Sequence, residues 1–427
     1  MYGWEFPPQI SGGLGIACYG IVKGLIAHHM NVALVLPQAM WRGNQSKSSN
    51  PRMLVADPFK SAKDFEINER QHLSIQYIDA IITPYLTNIT YQDLKKELSQ
   101  PASTILRESS ALDLIVDYGT DLISEAIRYA IQAGMFASET PHDVIHAHDW
   151  LTILAGIEAK KISGKPLVFH VHSLEYDRSG AHLNSAIFDI ELLGLQQADA
   201  IITVSQYTKR MIIEKYGITS EKISVVYNGL LERPTDEKQK NIPIFCSNKK
   251  QKTVLFLGRV TYQKGPFYFL DAADKILKER EDIQFVIAGE GDLLQDLIEY
   301  TAQLRIGRHV HFTGFLDRDC VEKIFQLSDV YVMPSVSEPF GISCLEALSY
   351  DVPIIISKQS GASEVLHHAV KVDFWDIDEM ASKIMALVDY PSLCLELLNR
   401  SEQDLKPLCW NRAALEIIHV YQKIIGK

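Results

Sequence analysis

The sequence has no excess of positive charge, no cysteine pair at metal-binding spacing and no apolar run long enough to cross a bilayer. Its 42 basic side chains stand against 53 acidic ones, a net charge of −11. That balance argues against phosphate-backbone nucleic-acid binding as the main task and leaves room only for a local basic pocket. No uninterrupted apolar stretch approaches the roughly 18 residues that a membrane span needs. Residues Met1 to Pro8 lack the basic and apolar regions of a secretory signal. The six cysteines (18, 246, 320, 344, 394 and 409) contain no C-x-x-C pair, so neither a disulfide framework nor a zinc ribbon is indicated. Internal repeats and low-complexity tracts are missing as well. What is present is 47% hydrophobic and 22% charged residues, enough for large cores and unlike disordered or fibrous chains. At roughly 150 residues per domain, 427 residues suggest two or three domains. The expectation is a soluble, cytoplasmic α/β protein.

Short β-branched runs alternate with helical stretches. The strand candidates are Asn31–Leu36, Asp143–His146, Leu167–His172, Asp199–Val204, Ile223–Val226, Thr253–Leu257, Ile283–Ala288, Asp329–Met333 and Pro353–Ile356. They are nearly all-apolar, as strands covered on both faces must be. Helices lie between them, such as Gly13–His29, where Leu14, Ala17, Cys18, Ile21 and Leu25 recur at helical spacing. This alternation implies βαβ units and parallel sheets. The segment Glu232–Lys252, with Pro234, Pro243 and a lysine cluster, reads as the link between two doubly wound domains. Arg42–Ser49 reads as a loop inside the first. A last helix near Leu408–Ile425 carries Leu415, Ile418, Tyr421 and Ile425 on one stripe. A doubly wound domain normally opens with a strand feeding its first glycine-rich loop. Here the loop Ser11-Gly12-Gly13-Leu14-Gly15 follows only ten residues, Pro7 and Pro8 among them, so the first strand is expected to be missing or to lie upstream.

Four groups of residues could carry chemistry. Gly12 and Gly13 open a helix, where bare backbone and free N–H groups admit a phosphate; a tight turn needs glycines too. Arg259 and Lys264 leave the carboxyl end of the strand Thr253–Leu257, where ligands sit in open α/β sheets. Two cations there suit an anionic leaving group such as a diphosphate; the bland alternative is a solvated loop. Glu338 and Glu346 flank a helix start near Gly341 and could read hydroxyls of a sugar and a ribose. Taken singly, Glu338 reads as a helix-dipole partner and Glu346 as one half of an ion pair. Two His-x-His runs, His146-Ala147-His148 and His170-Val171-His172, raise a metal possibility that no further His/Asp cluster completes. Asp149 reads more naturally as the cap of a helix beginning at Trp150. His172, at the end of its strand, is placed to hydrogen-bond a ligand. Cys344 reads as core.

Together these motifs resemble the retaining glycosyltransferases of the GT-B fold, in particular family 4 and the glycogen and starch synthases. The resemblance covers nearly the whole chain. In order come Gly-Trp-Glu-Phe-Pro-Pro…Ser-Gly-Gly-Leu-Gly (3–15), His-Ala-His-Asp-Trp (146–150), His-Val-His-Ser (170–173), Val-Ser-Gln-Tyr (204–207) and Tyr-Asn-Gly (227–229). Then follow Gly-Arg-Val-Thr-Tyr-Gln-Lys-Gly (258–265), Ala-Gly-Glu-Gly-Asp (288–292) and Pro-Ser-Val-Ser-Glu-Pro-Phe-Gly (334–341), with Glu338 and Glu346 at E-x7-E spacing. The resemblance implies two Rossmann-like domains with a cleft between them. Residues 1–235 would form the acceptor-side domain, its first strand missing, and 250–405 the nucleotide-sugar domain, with 406–427 crossing back. It implies that Arg259 and Lys264 bind the donor diphosphate and that Gly12 and Gly13 approach the same phosphates. Glu338 would bind the transferred sugar, Glu346 the ribose, and His172 would sit near the anomeric carbon. The base would lie near Gly289 and Gly291, with Gly341 at the helix start. Reaction would retain anomeric configuration, with no cofactor and no metal, the two cations doing a metal's work.

The implied activity is transfer of a hexose, glucose above all, from a nucleotide diphosphate sugar to a glycan or glucan. Synthases of the ADP-glucose type carry a lysine two residues before the glycine pair, where this chain has Ile10. That departure weakens ADP-glucose as donor. The residues after His172, Ser173 to Arg178, differ from those synthases too. Rival readings are a GT-B nucleotide-sugar epimerase, a glycan phosphorylase, and a non-catalytic sugar-nucleotide-binding remnant. Acceptor, donor base and oligomeric state are not legible, because acceptor surfaces sit on loops such as Arg42–Ser49 and Asp177–His182.

Overall fold

The computed structural model describes residues 1–7, 12–37, 72–78, 122–180, 182–231 and 251–426. Two parallel sheets, each flanked by helices, face one another across a cleft. The first contains β1 (Val32–Pro37), β2 (Leu73–Ile78), β3 (Ile145–His148), β4 (Leu167–Val171), β5 (Ala200–Thr203) and β6 (Ile223–Val225). The second is built from β7 (Lys252–Leu257), β8 (Ile283–Ala288), β9 (Val310–Gly314), β10 (Val330–Met333), β11 (Ile354–Ser357) and β12 (Val370–Val372). Its spatial order is β12-β11-β10-β7-β8-β9, every pair parallel. The first strand of that half therefore lies at its centre, the doubly wound arrangement whose ligands bind beyond the carboxyl ends of the strands. Arg42–Ser49, and Glu232–Lys252 up to residue 250, lie outside the described residues.

The expected gap at the start of the first sheet is filled. Tyr2 bridges Val35 of β1 on one side and Ala147 of β3 on the other, both parallel. Its N–H donates to the His146 carbonyl at 2.7 Å, and its own carbonyl accepts from His148 N at 3.2 Å. Gly3 N reaches the Val35 carbonyl at 3.1 Å, and Val35 N reaches that of Met1 at 2.9 Å. The first sheet thus reads β2-β1-Tyr2-β3-β4-β5-β6, the same winding as the second. Ten residues suffice because two or three of them do the pairing, and backbone groups of β1 and β3 that face the gap are satisfied. The short segment is anchored by Tyr129, whose buried hydroxyl reaches the carbonyls of Gly3 (3.1 Å) and Val35 (2.8 Å). The carboxylate of Glu5, fully buried, accepts from Gly15 N at 3.0 Å and so sits at the start of the first helix, Gly13–Ala27. A negative charge there complements the helix dipole.

Nine strands fall within two residues of their expected places. The three that escaped, β2, β9 and β12, are all edge strands. Among the described residues β2 is an edge, and it mixes buried Leu73, Ile75 and Ile78 with exposed Ser74. No continuous apolar run marks it.

The last helix, Trp410–Ile425, crosses back onto the first half and packs along the first helix. Contact is close because Gly20 and Gly24 present bare backbone. A Cβ on Gly20 would lie 2.2 Å from the Trp410 ring, and one on Gly24 would lie 2.5 Å from the Trp410 carbonyl and 2.8 Å from Ala414 Cβ. Where the helix arrives, Leu230 N donates to the Leu408 carbonyl at 2.9 Å. Gly24→Val is expected to lower stability by about 1–3 kcal/mol by forcing these helices apart. Urea unfolding measures it, and a midpoint equal to wild type would show that the packing is looser than described.

Candidate active site

The cleft has a volume of about 2120 Å³ and is lined from both halves. Gly12, Gly13, His172, Arg259, Lys264, Gly289, Gly291, Glu338, Gly341 and Glu346 all border it. The geometry thus gathers residues that are more than 300 positions apart in the chain.

The cationic turn is held by backbone contacts. After β7 the chain makes a 3-10 turn, Tyr262–Lys264, and Gly265 then starts the helix Pro266–Leu277. Gly265 has φ 66°, and a Cβ there would meet the Pro334 carbonyl oxygen at 2.2 Å. Glycine is required on both counts. That approach sets the turn beside the loop after β10. The Gln263 carbonyl accepts from Val336 N at 2.9 Å. Lys264 Nζ consequently lies 2.6 Å from Glu338 Oε2, which also accepts from Ser335 Oγ at 3.1 Å. Arg259 Nη2 reaches Gln263 Oε1 at 3.4 Å. Glu338 is therefore the partner of a lysine, not of a helix dipole. Its backbone is fixed independently, N–H to the Gln359 carbonyl and carbonyl to Gly361 N, each 2.9 Å.

Two helix starts face one another here. Gly341 caps the helix Ile342–Ser349, and Ile342 Cδ1 would lie 4.0 Å from a Cβ on Gly13 at the head of the first helix. The positive dipole ends of both helices favour an anion between them, as do Arg259 and Lys264, and of the first helix's N–H groups that of Gly15 is already taken by Glu5. Glu346, half-buried in the same helix, has its carboxyl pushed up to about 7 by burial, with Arg318 acting the other way. At the far side Gly289 (φ 138°) crosses Gly258 so closely that a Cβ would meet the Gly258 carbonyl oxygen at 1.9 Å. The wall there is bare backbone at Gly289 and Gly291, with Glu290 and Asp292 beside it.

The two His-x-His runs form one stack. Alternation along β3 and β4 puts His146 and His148 on one face and His170 and His172 on the same face, and strand register pairs His148 with His170. Ring centroids lie 4.4 Å apart for His146 and His148, and 4.2 Å for His170 and His172. His146 Nε2 contacts His170 Nδ1 at 3.1 Å, and His148 Nδ1 contacts His172 Nε2 at 2.9 Å. Tyr421 of the last helix closes the stack against His146 Nδ1 at 2.5 Å. The ligand nitrogens of His146, His148 and His170 lie within 4.8 Å of one another. Their ring planes lie within 28° of parallel, and the facing nitrogens of His146 and His170 are at hydrogen-bonding separation. Burial pushes every imidazole toward the neutral form, His172 down to about 3.

Asp149 does not cap its own helix. It is the first residue of Asp149–Ser163, with φ 57°, and Oδ1 accepts from His172 N at 2.6 Å and Ser173 N at 3.2 Å. The N–H of His148 is met instead by Thr152 Oγ1 at 2.7 Å. Asp149 thus fixes the backbone that carries His172. Arg178, whose role no local sequence pattern signals, also lines the cleft. It is locked by Glu175 (3.1 Å) and Glu191 (2.6 Å). Cys344 is core, as expected, with Sγ on the Gly341 carbonyl.

The fold is that of the GT-B glycosyltransferases. Residues 117–230 match Glycosyltransferase Family 4, and residues 237–404 match Glycosyl transferases group 1. An uncharacterised glycosyltransferase of Methanocaldococcus jannaschii is 28% identical, over 99% of this chain and 97% of its own. Glycogen synthase of Mycobacterium tuberculosis is 25% identical, over 99% of this chain and 93% of its own. Among solved structures, Anabaena HepE in complex with UDP-glucose superimposes with a TM-score of 0.67 at 17% identity, covering 99% of this chain and all of that one. The chain thus matches glycosyltransferase models over most of its length, of the family 4 kind in residues 117–230 and of group 1 in residues 237–404. Among the described residues, no helix is long and apolar enough to cross a membrane.

His172 is expected to remain neutral from pH 8 down to pH 5, because its lowered pKa means that acid protonates the unfolded chain first. Imidazole NMR against pH measures this, and a midpoint near the ordinary value of 6.5 would remove the burial argument.

Proposed function

We propose that this glycosyltransferase moves a hexose, glucose above all, from a nucleotide diphosphate sugar to a glycan or glucan hydroxyl, with retention at the anomeric carbon. The observation that carries the reading is the meeting of two cations and two helix starts beside a carboxylate at one point of the cleft. A diphosphate leaving group develops charge as its bond to the sugar breaks. Preorganised Arg259, Lys264 and helix N–H groups stabilise that charge more in the transition state than in the bound donor. Glu338 accepts from the sugar hydroxyls and shares Lys264 with the phosphates. His172, uncharged, hydrogen-bonds the sugar without repelling an oxocarbenium-like centre. The acceptor hydroxyl attacks the face from which the diphosphate departs, and its proton passes to the departing phosphate oxygen. Glu346 binds the ribose, and the base lies against the bare backbone at Gly289 and Gly291. The similarity to a glycogen synthase supports a glucan acceptor. HepE's UDP-glucose makes UDP-glucose the first donor to try.

With the charge supplied by side chains, no metal or other cofactor is required. Calorimetry with UDP, ADP and GDP, each with and without EDTA, is expected to give chelator-insensitive micromolar binding of one nucleotide. Binding that EDTA abolishes would refute the metal-independent site. Lys264→Ala and Arg259→Ala are each expected to lower kcat about 100-fold, and near-wild-type turnover in both would sink the diphosphate assignment. Glu338→Gln is expected to lose activity to a similar degree with unchanged circular dichroism; undiminished transfer would take Glu338 out of the sugar site.

A further inference from the structure

Three side chains from distant segments meet at one hydroxyl across the cleft. Ser337, the residue before Glu338, donates from Oγ to Asp177 Oδ1 at 2.5 Å and lies 2.9 Å from the Tyr207 hydroxyl. Asp177 Oδ2 accepts from Leu174 N at 2.8 Å. Asp177 and Ser337 are both buried, and burial raises the Asp177 carboxyl to about 6, which leaves it ionised at neutral pH. A carboxylate only accepts, so the proton of Ser337 goes to Asp177 and that of Tyr207 goes to Ser337. The bonds run in one direction, Tyr207 to Ser337 to Asp177, each polarising the next. Asp177 and Tyr207 belong to the first half and Ser337 to the second.

The surroundings make this junction rigid. Glu364 of the second half accepts from Gln206 N (2.9 Å) and Tyr207 N (2.6 Å) at the start of the helix Gln206–Tyr216, and from the Tyr227 hydroxyl (3.2 Å). Gly361 lies on Ser205 so closely that a Cβ would come within 2.5 Å of the serine's Cβ. The short helix Glu175–Ser179, which carries Asp177, also packs on the turn Tyr262–Lys264. One helix of the first half therefore touches both segments that carry the Lys264–Glu338 pair.

We propose that Asp177 and Tyr207 are positioning residues for sugar transfer, acting through Ser337 to hold the Glu338 carboxylate in place when the halves are closed. This rests on the reading of Glu338 as a contact of the donor sugar. Arg259 and Glu346, the diphosphate and nucleoside contacts of that reading, are not members of this chain of hydrogen bonds. Turnover and nucleotide affinity must then separate.

The test uses Ser337→Ala, Tyr207→Phe and Asp177→Asn in the full chain, with UDP (or whichever of the three nucleotides binds) as the calorimetric probe. Each single variant is expected to lower kcat about tenfold with the nucleotide Kd within twofold of wild type. Ser337→Ala combined with Asp177→Asn is expected to be no slower than the slower single variant, since both cut the same chain of bonds. Wild-type kcat in all three variants would overturn the proposal. So would a nucleotide affinity that falls in step with kcat, or losses that multiply in the double variant. If the wild-type protein transfers no sugar, the functional reading fails by itself. Hydrogen exchange then decides: Ser337→Ala must speed exchange at Glu338 and Gly361, and unchanged rates there would overturn the positioning role.

Discussion

The approach of Gly265 to the carbonyl of Pro334 is the constraint on which the cleft depends. It brings the turn after β7 against the loop after β10, and only a residue without a side chain, in a left-handed conformation, can make it. Lys264 and Glu338 are then neighbours by construction. Neither could be placed by its own flexibility, because a lysine has four rotatable bonds and loses the most entropy when fixed. Backbone contact sets the separation, and the ion pair occupies it.

The parallel sheets explain why such different segments arrive together. In each half the strands point one way, so the loops after β4, β7, β8 and β10 all leave carboxyl ends and border the cleft. Gly12 and Gly13 head a helix of the first half, and Gly341 heads one of the second; the two helices converge on one volume from opposite sides. The last helix, seated on Gly20 and Gly24, keeps the halves paired in this orientation.

Much of this was legible in the sequence, for physical reasons. Strands buried on both faces are written as apolar runs, and nine of them could be read. β2, β9 and β12 could not: an edge strand needs only alternate apolar residues, and of the four edge strands among the described residues only β6 kept an apolar run that could be read. Glycines and charges at strand ends pointed to the cleft before any coordinates did. Contacts between side chains far apart in the chain left no local mark. Nothing near Ser337 announces Asp177, and nothing near His146 announces the stack with His170. One signal was available: His-x-His on two strands implies same-face rings, and adjacent strands bring such faces together. The place of the first strand left no mark because a single residue, Tyr2, pairs on both sides at once.

The chain passes between its halves twice, once after Leu231 and once on entering the last helix at Trp410. The two crossings lie side by side, joined where Leu230 N meets the Leu408 carbonyl. The molecule is built like a book with its spine at Leu230 and Cys409. Opening it would leave that spine in place and part Ser337 from Asp177 and Glu364 from Gln206 and Tyr207.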